Sequence, residues 1–465
     1  MRVIVSKVEA AVGAVILAIG VGRTQAVHAG AFAIEEQSAA DLGRAFAGTA
    51  ATADDPTILY FNPAGITNFQ RLMTSTGLSM IGVYTAFRNT GSQPPLSQPL
   101  GGNGGNAGSW NAVPNFYLIA PLSARFSVGV AINAPFGLKT DYPSGWLGQY
   151  QALLSQLKTE NFNISGAWRA SEHWSFGLGP DYEHIQATLT NGVDYSAVIA
   201  SGLQQLVLAG QIPPSAVPSL LAANAGLSGE SGVGGSGGGW GFQLGALYSS
   251  GEHWKAGLAY RSEVKARISG TVGFTSPSAS NAVGQGIIES AAQTTLSDGP
   301  VYMNLTLPAT IIGSASIRIT PRARLMADVQ FTQWSVFQTL AINRDSGLEL
   351  SSVPEDYHNT WRVAFGGDYR ISPQWLLRAG TAYDETPVPT FTRNPRLPDS
   401  GHIWIATGAL WKPAGRFTID LGYAHLFEHP APLDTNGGNS ELYGTMVGDQ
   451  DSHADIVSLE LTTAF

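Results

Sequence analysis

Cysteine is absent from the chain, which excludes disulfides, thiolate metal sites and a thiol nucleophile. Charge is sparse as well: Asp, Glu, Lys and Arg make up 13% of the 465 residues, and there is no basic tract. With no cluster of Lys and Arg to neutralise phosphates, a nucleic-acid partner is not expected. The formal charge is −9, or −11 once residues 1–29 are set aside, since these carry three basic residues and one acidic. Long apolar runs are missing too. Beyond Ala29 nothing reaches the roughly 20 apolar residues that a spanning helix requires. What is present is unusual for a water-soluble protein: 55 glycines, 11 tryptophans and a mean hydropathy of +0.03. A transmembrane β-barrel has this balance, because lipid-facing and lumen-facing residues take turns and cancel.

Both ends agree with that class. Arg2 and Lys7 precede an apolar run from Ala10 to Val21, and Val27-His28-Ala29 offers small residues for cleavage. This is the layout of a secretory signal peptide over residues 1–29, with Gly30 as the first mature residue. At the other end Val457, Leu459, Leu461, Thr463 and Phe465 alternate with Ser458, Glu460, Thr462 and Ala464. A period of two is a strand, and a last strand ending on an aromatic is typical of bacterial outer-membrane barrels. Similar faces recur upstream, as in Trp240, Phe242, Leu244, Ala246 and Tyr248, or Phe417, Ile419, Leu421 and Tyr423.

Fourteen such segments are expected, near 71–88, 110–120, 125–137, 158–169, 173–188, 239–249, 253–271, 301–319, 322–340, 357–371, 374–385, 401–411, 416–427 and 453–465. An even number lets an antiparallel sheet close without an edge. Six connections are tight, among them Pro121–Ala124 and Thr320-Pro321, and seven are long, the longest from Thr190 to Gly238. Short turns face the periplasm and long loops the outside. The glycine tract Gly232–Gly239 has dinucleotide-like spacing but no expected strand before it, and reads as a flexible loop end. Asn163-Ile164-Ser165 fits a glycosylation sequon but falls inside a strand. Neither metal nor cofactor is expected, and no enzymatic activity. His184, His402 and His425 belong to strands without a catalytic motif, and His425 and His429 lie at a strand end, not on a helix.

Residues 30–70, ahead of the barrel (71–465), are not strand-like. Ser38 can cap a short helix through Ala45, and Asn62-Pro63 favours a turn. The many small and apolar residues here (Ala39, Ala40, Leu42, Ala45, Phe46, Ala47) suit a plug in the lumen better than the periplasm. A barrel of this size has an interior wide enough to need one. In the outer loops Ser215 can cap a helix with Val217, Leu220 and Leu221 on one face, and Leu203, Leu206 and Val207 repeat that spacing. There is little core for them to join, so they are candidates for a ligand groove. Trp146, Leu147, Tyr150 and Leu154 form another stripe at helical spacing.

Several strings resemble the FadL/TodX family of outer-membrane transporters. They are Glu36 to Gly48, Ala53-Asp54-Asp55, Asn62-Pro63-Ala64, Ala134 to Leu138, Trp174 to Gly179, Tyr260 to Lys265 and Pro387-Val388-Pro389, in order along the whole mature chain. The resemblance implies a fourteen-stranded antiparallel transmembrane β-barrel, monomeric, in the outer membrane of a Gram-negative bacterium. It implies import of hydrophobic molecules, either long-chain fatty acids or hydrocarbons. Asn62, Pro63 and Ala64 would gate a lumenal hatch, with Phe32 near its start. Ile287 and Ile288 would join the loop groove, and a kink in the third strand at Pro135, Phe136 and Gly137 would open the wall to lipid. Two basic lumen residues of the fatty-acid importers fall at Gln186 and Ala341, which leans the reading slightly toward neutral ligands. Strand parity turns Lys255, Arg261, Glu263, Lys265, Arg267, Arg324 and Arg378 inward, and Arg378 is the candidate replacement anchor. The alternative is a general diffusion porin, which predicts an open lumen and polar loops.

Overall fold

The computed structural model describes residues 30–251, 253–413, 415–435 and 443–465; the expected signal peptide lies outside the described residues, as do parts of two expected turns. Alternation decides the architecture. The strands are β1 (Met73–Asn89), β2 (Trp110–Pro121), β3 (Phe126–Asn133), β4 (Gly137–Asp141), β5 (Leu154–Arg169), β6 (Trp174–Asp194) and β7 (Ser228–Ser249). Then come β8 (Trp254–Arg261), β9 (Val264–Thr275), β10 (Gly299–Leu307), β11 (Thr310–Arg318), β12 (Ala323–Thr332), β13 (Thr339–Arg344) and β14 (Glu349–Pro354). The last are β15 (Thr360–Arg370), β16 (Trp375–Asp384), β17 (His402–Trp411), β18 (Phe417–Glu428), β19 (Ala431–Asp434) and β20 (Val447–Ala464). The pairs β3–β4, β8–β9, β10–β11 and β12–β13 are each one wall strand with an interruption. β14 leads into β15 and β19 extends β18, so the wall has fourteen antiparallel strands. β1 pairs with β2 and, from Met73↔Ala464 to Asn89↔Gly448, with β20, which closes the barrel.

The outer face carries Trp168, Phe176, Leu178, Trp240, Leu244, Leu258, Trp361 and Phe365, all exposed as a lipid-contacting band requires. One segment expected in a loop lies in a strand. The tract Gly232–Gly239 is not a loop end: it lies in β7, laddered to β6 on one side and β9 on the other. Glycine is a poor strand former, but here two neighbours impose the conformation. Their backbones come so close that a Cβ on Gly237 would fall 2.1 Å from the Arg267 carbonyl oxygen.

A lumenal segment, a broken wall strand and an apolar chamber

The residues ahead of β1 fold inside the barrel. Ser38 caps the helix Ala39–Leu42 by accepting from the Asp41 N–H at 3.1 Å, and this helix is shorter than its sequence suggests. Small residues on the wall make room: a Cβ on Gly380 would lie 2.0 Å from the Arg44 carbonyl oxygen, and one on Gly257 would lie 1.9 Å from that of Ala50. Asn62 ties the segment together and to the wall. Its Nδ2 donates to Ala50 O at 2.7 Å and Ala246 O at 3.0 Å, while its Oδ1 accepts from the Ala64 N–H at 3.0 Å. Pro63 then starts a 3-10 turn, where its missing N–H costs nothing. Below, buried Arg44 pairs with Asp41, with Asp54 at 3.1 Å and with Asp368 at 3.3 Å, and Arg324 joins Asp54 and Asp368.

Between β3 and β4 the third wall strand breaks at Ala134-Pro135-Phe136. β2 pairs with β3 only over Phe116–Pro121, so Trp110–Asn115 keeps β1 as neighbour and has no ladder to the other side. The lumenal segment takes over on the inside. Ile34 N donates to Pro135 O at 2.8 Å, Gly137 N to Phe32 O at 2.8 Å, and Gln37 Nε2 to Ala134 O at 2.8 Å. Pro135 has no N–H for the abandoned ladder. The break lies mid-strand rather than near an outer end, because β4 resumes pairing with β5 as far as Asp141.

Phe32 sits beside this break in an aromatic cage, its ring 4.7 Å from Trp334, 5.7 Å from Phe337 and 6.0 Å from Phe136. On one side is a space of about 570 Å³ lined by Ile34, Pro135, Phe136, Tyr60, Gln243 and Arg261. On the other is a space of about 550 Å³ walled by Leu138, Leu157, Ala187, Met303, Leu305, Leu340 and Leu397, with Phe32 itself. Two charged groups enter this second chamber, both from outer loops. Half-buried Arg396 donates to Ser155 Oγ at 3.0 Å and Asn191 Oδ1 at 3.4 Å, both neutral acceptors. Burial pulls its pKa down to about 10, with partial compensation from Glu355. Burial likewise pushes Glu355 up to about 8, against hydrogen bonding from Asn394. Sequence reasoning missed both residues, since Arg396 lies in the Pro-rich loop from Pro387 to Pro398 and Glu355 in the connection between β14 and β15, and neither segment has a periodicity to point to a lumen face.

With this geometry go three comparisons. The family model described as outer membrane protein transport protein (OMPP1/FadL/TodX) matches residues 20–465. The chain belongs to this family. It is 30% identical over 448 residues to the long-chain fatty acid transport protein of Escherichia coli K12, covering 93% of this chain and 96% of that one. A Pseudomonas aeruginosa FadL homologue superposes with a TM-score of 0.81 at 24% identity, over 94% of this chain and 100% of that one. The Pseudomonas putida toluene transporter TodX does so at 0.66 and 16%, over 92% and 98%, so these two structures speak for the fold. The protein is thus an outer-membrane barrel of a Gram-negative bacterium.

Several residues singled out for the family's lumen lie elsewhere. Gln186 is on the outer face of β6, 3.3 Å from His184, because inward positions there are Ile185 and Ala187. Ala341 is turned away from the lumen between Leu340 and Ile342, which line its cavities. A break at Ser262-Glu263 flips parity between β8 and β9. Lys255 and Arg261 do point in, to Thr52 O at 3.0 Å and Asp181 at 3.2 Å. Lys265 instead points out beside Glu263 at 2.9 Å, and Arg267 stacks over Tyr302 at 3.8 Å. Arg324 and Arg378 face inward but pair with carboxylates, Arg378 with Asp420, and neither lines the two chambers.

Among the outer loops, Leu203 and Ile288 are buried together with Leu220, Leu221 and Ile287 around them. Part of the expected groove is therefore mutual packing of three short helices; Leu206, Val207 and Val217 remain half-exposed beside it. The stripe at Trp146, Leu147 and Tyr150 is a buried turn and not a helix, with Trp146 stacked on Tyr142 at 3.8 Å.

Proposed function

We propose that this protein imports long-chain hydrophobic carboxylates, fatty acids above all, through its own wall. The observation that carries this is the Arg396 guanidinium in a chamber walled mostly by hydrocarbon, where it is the one cation among the lining residues, with Phe32 and its cage between that chamber and the broken third strand. The loop helices capture the ligand first, at a gain of roughly 0.8 kcal/mol for each methylene removed from water. Arg396 then compensates the headgroup, which would otherwise be costly to bury. Residues 30–70 act as the hatch, gated at Asn62, Pro63 and Ala64. Displacement of Phe32 joins the two spaces, and the gap at Pro135-Phe136-Gly137 passes the ligand into lipid without returning its tail to water. One barrel holds the complete path, so a monomer suffices, and no step calls for catalysis. A general porin would not need such a path. The weak preference for neutral ligands, drawn from Gln186 and Ala341, yields to Arg396.

Arg396→Ala is expected to weaken palmitate binding by about ten- to a hundredfold, the loss of one charge-assisted contact worth about 1.5–3 kcal/mol, and to leave methyl palmitate unchanged. Equal binding of acid and ester by the unaltered protein would refute the anchor. Glu355 adds a pH dependence. Below about 8 its carboxyl is neutral and can donate beside Arg396; above that it is anionic and repels a second carboxylate. Palmitate affinity should therefore fall as pH rises past about 8, and in Glu355→Gln that fall should disappear. Titration of affinity against pH by fluorescence quenching checks this.

A further inference from the structure

The lipid-facing series of three neighbouring strands end together. On β5, Trp168, Ile164 and Phe162 give way to Glu160; on β6, Phe176, Leu178 and Tyr182 give way to His184; on β7, Leu244, Phe242 and Trp240 give way to Gly238. Glu160, His184, Gly238, Arg267 and Asn304 are ladder neighbours across five strands and form one polar row. Tyr182 and Trp240, their rings 5.1 Å apart, belong to the aromatic girdle beneath it. Since a long outer connection joins β6 to β7, the row lies at the headgroup level of the outer leaflet. Here β7 brings almost no side chain. Its outward positions Gly234, Ser236 and Gly238 are a floor between His184 and Gln186 on β6 and Arg267 on β9, walls that stand two strand spacings apart, about 9–10 Å. A Cβ on Gly234 would meet nothing within 4 Å, so this groove is open.

We propose that this groove binds a phosphorylated glycolipid of the outer leaflet, with its sugar headgroup on the glycine floor and a phosphate on Arg267 and Lys265. Arg267 stands over the Tyr302 ring, 3.8 Å from its centre, and among the described residues it has no carboxylate partner. Stacking fixes the guanidinium plane and leaves its N–H edge to donate to phosphate oxygens. Lys265 is largely exposed, and its contact with Glu263 is a surface pair that an anion of higher charge can displace. Glu160, the other carboxylate of the row, lies beyond His184 on the side away from Arg267. Across the barrel, on β1, β18 and β20, the outward basic groups are already taken, Arg88 by Asp449 at 2.6 Å and His425 by Asp455 at 2.8 Å. Charge complementarity to a phosphate thus falls on the β6–β9 side. Exposed Trp240 and Phe242, just below, give an acyl chain its apolar contact. The site is on the lipid face, apart from the Arg396 chamber, and concerns how the barrel is seated in its membrane rather than what it carries.

Native mass spectrometry of the detergent-solubilised full chain, with added lipid A, phosphatidylglycerol or phosphatidylethanolamine, tests this. One lipid A per barrel is expected, held more tightly than either phospholipid. Lys265→Ala combined with Arg267→Ala should weaken lipid A about twentyfold, at about fivefold for each cation near an anionic headgroup. Ser236→Trp, which fills the floor and keeps both cations, should also weaken lipid A; Gly234→Leu replaces it if it does not give a heat-modifiable barrel. Palmitate binding should be unchanged in all of them, which separates this site from the transport path. Unchanged lipid A binding in the folded double variant overturns the site, and unchanged binding in the folded floor variant overturns the groove. An equal affinity of the unaltered chain for phosphatidylglycerol overturns the glycolipid and leaves a general attraction for anionic lipid.

Discussion

Straightening the third wall strand with Pro135→Val and Gly137→Val is expected to remove most uptake of a labelled fatty acid while leaving its binding intact. The gap exists because Trp110–Asn115 of β2 has no ladder toward Ala134–Phe136, and because Pro135 cannot donate to one. Giving the strand an N–H at position 135 and a branched side chain at each end of the break favours continuous pairing of β2, β3 and β4. The capture surface and the Arg396 chamber lie outside the altered segment, so affinity should hold. Uptake should drop by at least about tenfold, which takes only about 1.4 kcal/mol on the exit barrier. Whole-cell uptake and equilibrium binding on the purified barrel separate the two effects. Uptake that persists in the double variant would refute exit through this break.

Asn62→Ala has the second large effect. The wild-type side chain satisfies two carbonyls, one buried at Ala50 and one half-buried at Ala246, and one buried N–H, at Ala64. Alanine leaves all three without their partner, and a buried unsatisfied group costs about 1–3 kcal/mol. Because one carbonyl belongs to the wall and the others to the hatch, the loss falls on hatch docking rather than on the barrel. The barrel ladder should keep its heat resistance. Ion leakage should appear in planar bilayers, and fatty-acid uptake should fall as the Phe32 cage loses its fixed position. A variant as quiet as the wild type, with normal uptake, would remove the gating role of Asn62.

Much of this was legible in the sequence because a barrel wall has a single period. Trp240 to Tyr248 and Val457 to Phe465 declare their faces without help from tertiary structure. The Asn62-Pro63 turn is equally local, set by the stereochemistry of proline and an amide side chain. Failures occur where packing overrides local preference. β7 is a strand at Gly232–Gly239 because two neighbours impose it. Lys265 and Arg267 point outward because Ser262-Glu263 interrupts the alternation by one position. Arg396 reaches the chamber from a loop, where no period exists to follow, and partnership with Ser155 and Asn191 is purely tertiary.

Hydrophobic carboxylates should pass this barrel while polar solutes of similar size do not. Paired uptake of labelled palmitate and labelled sucrose, in cells whose own fatty-acid transporters have been deleted, separates the two outcomes. Expression of the chain should restore palmitate entry, Arg396→Ala should reduce it, and sucrose entry should stay at the level of cells without the protein. Sucrose entry that rises with expression, with palmitate unaffected, would contradict the account and make the lumen an open pore.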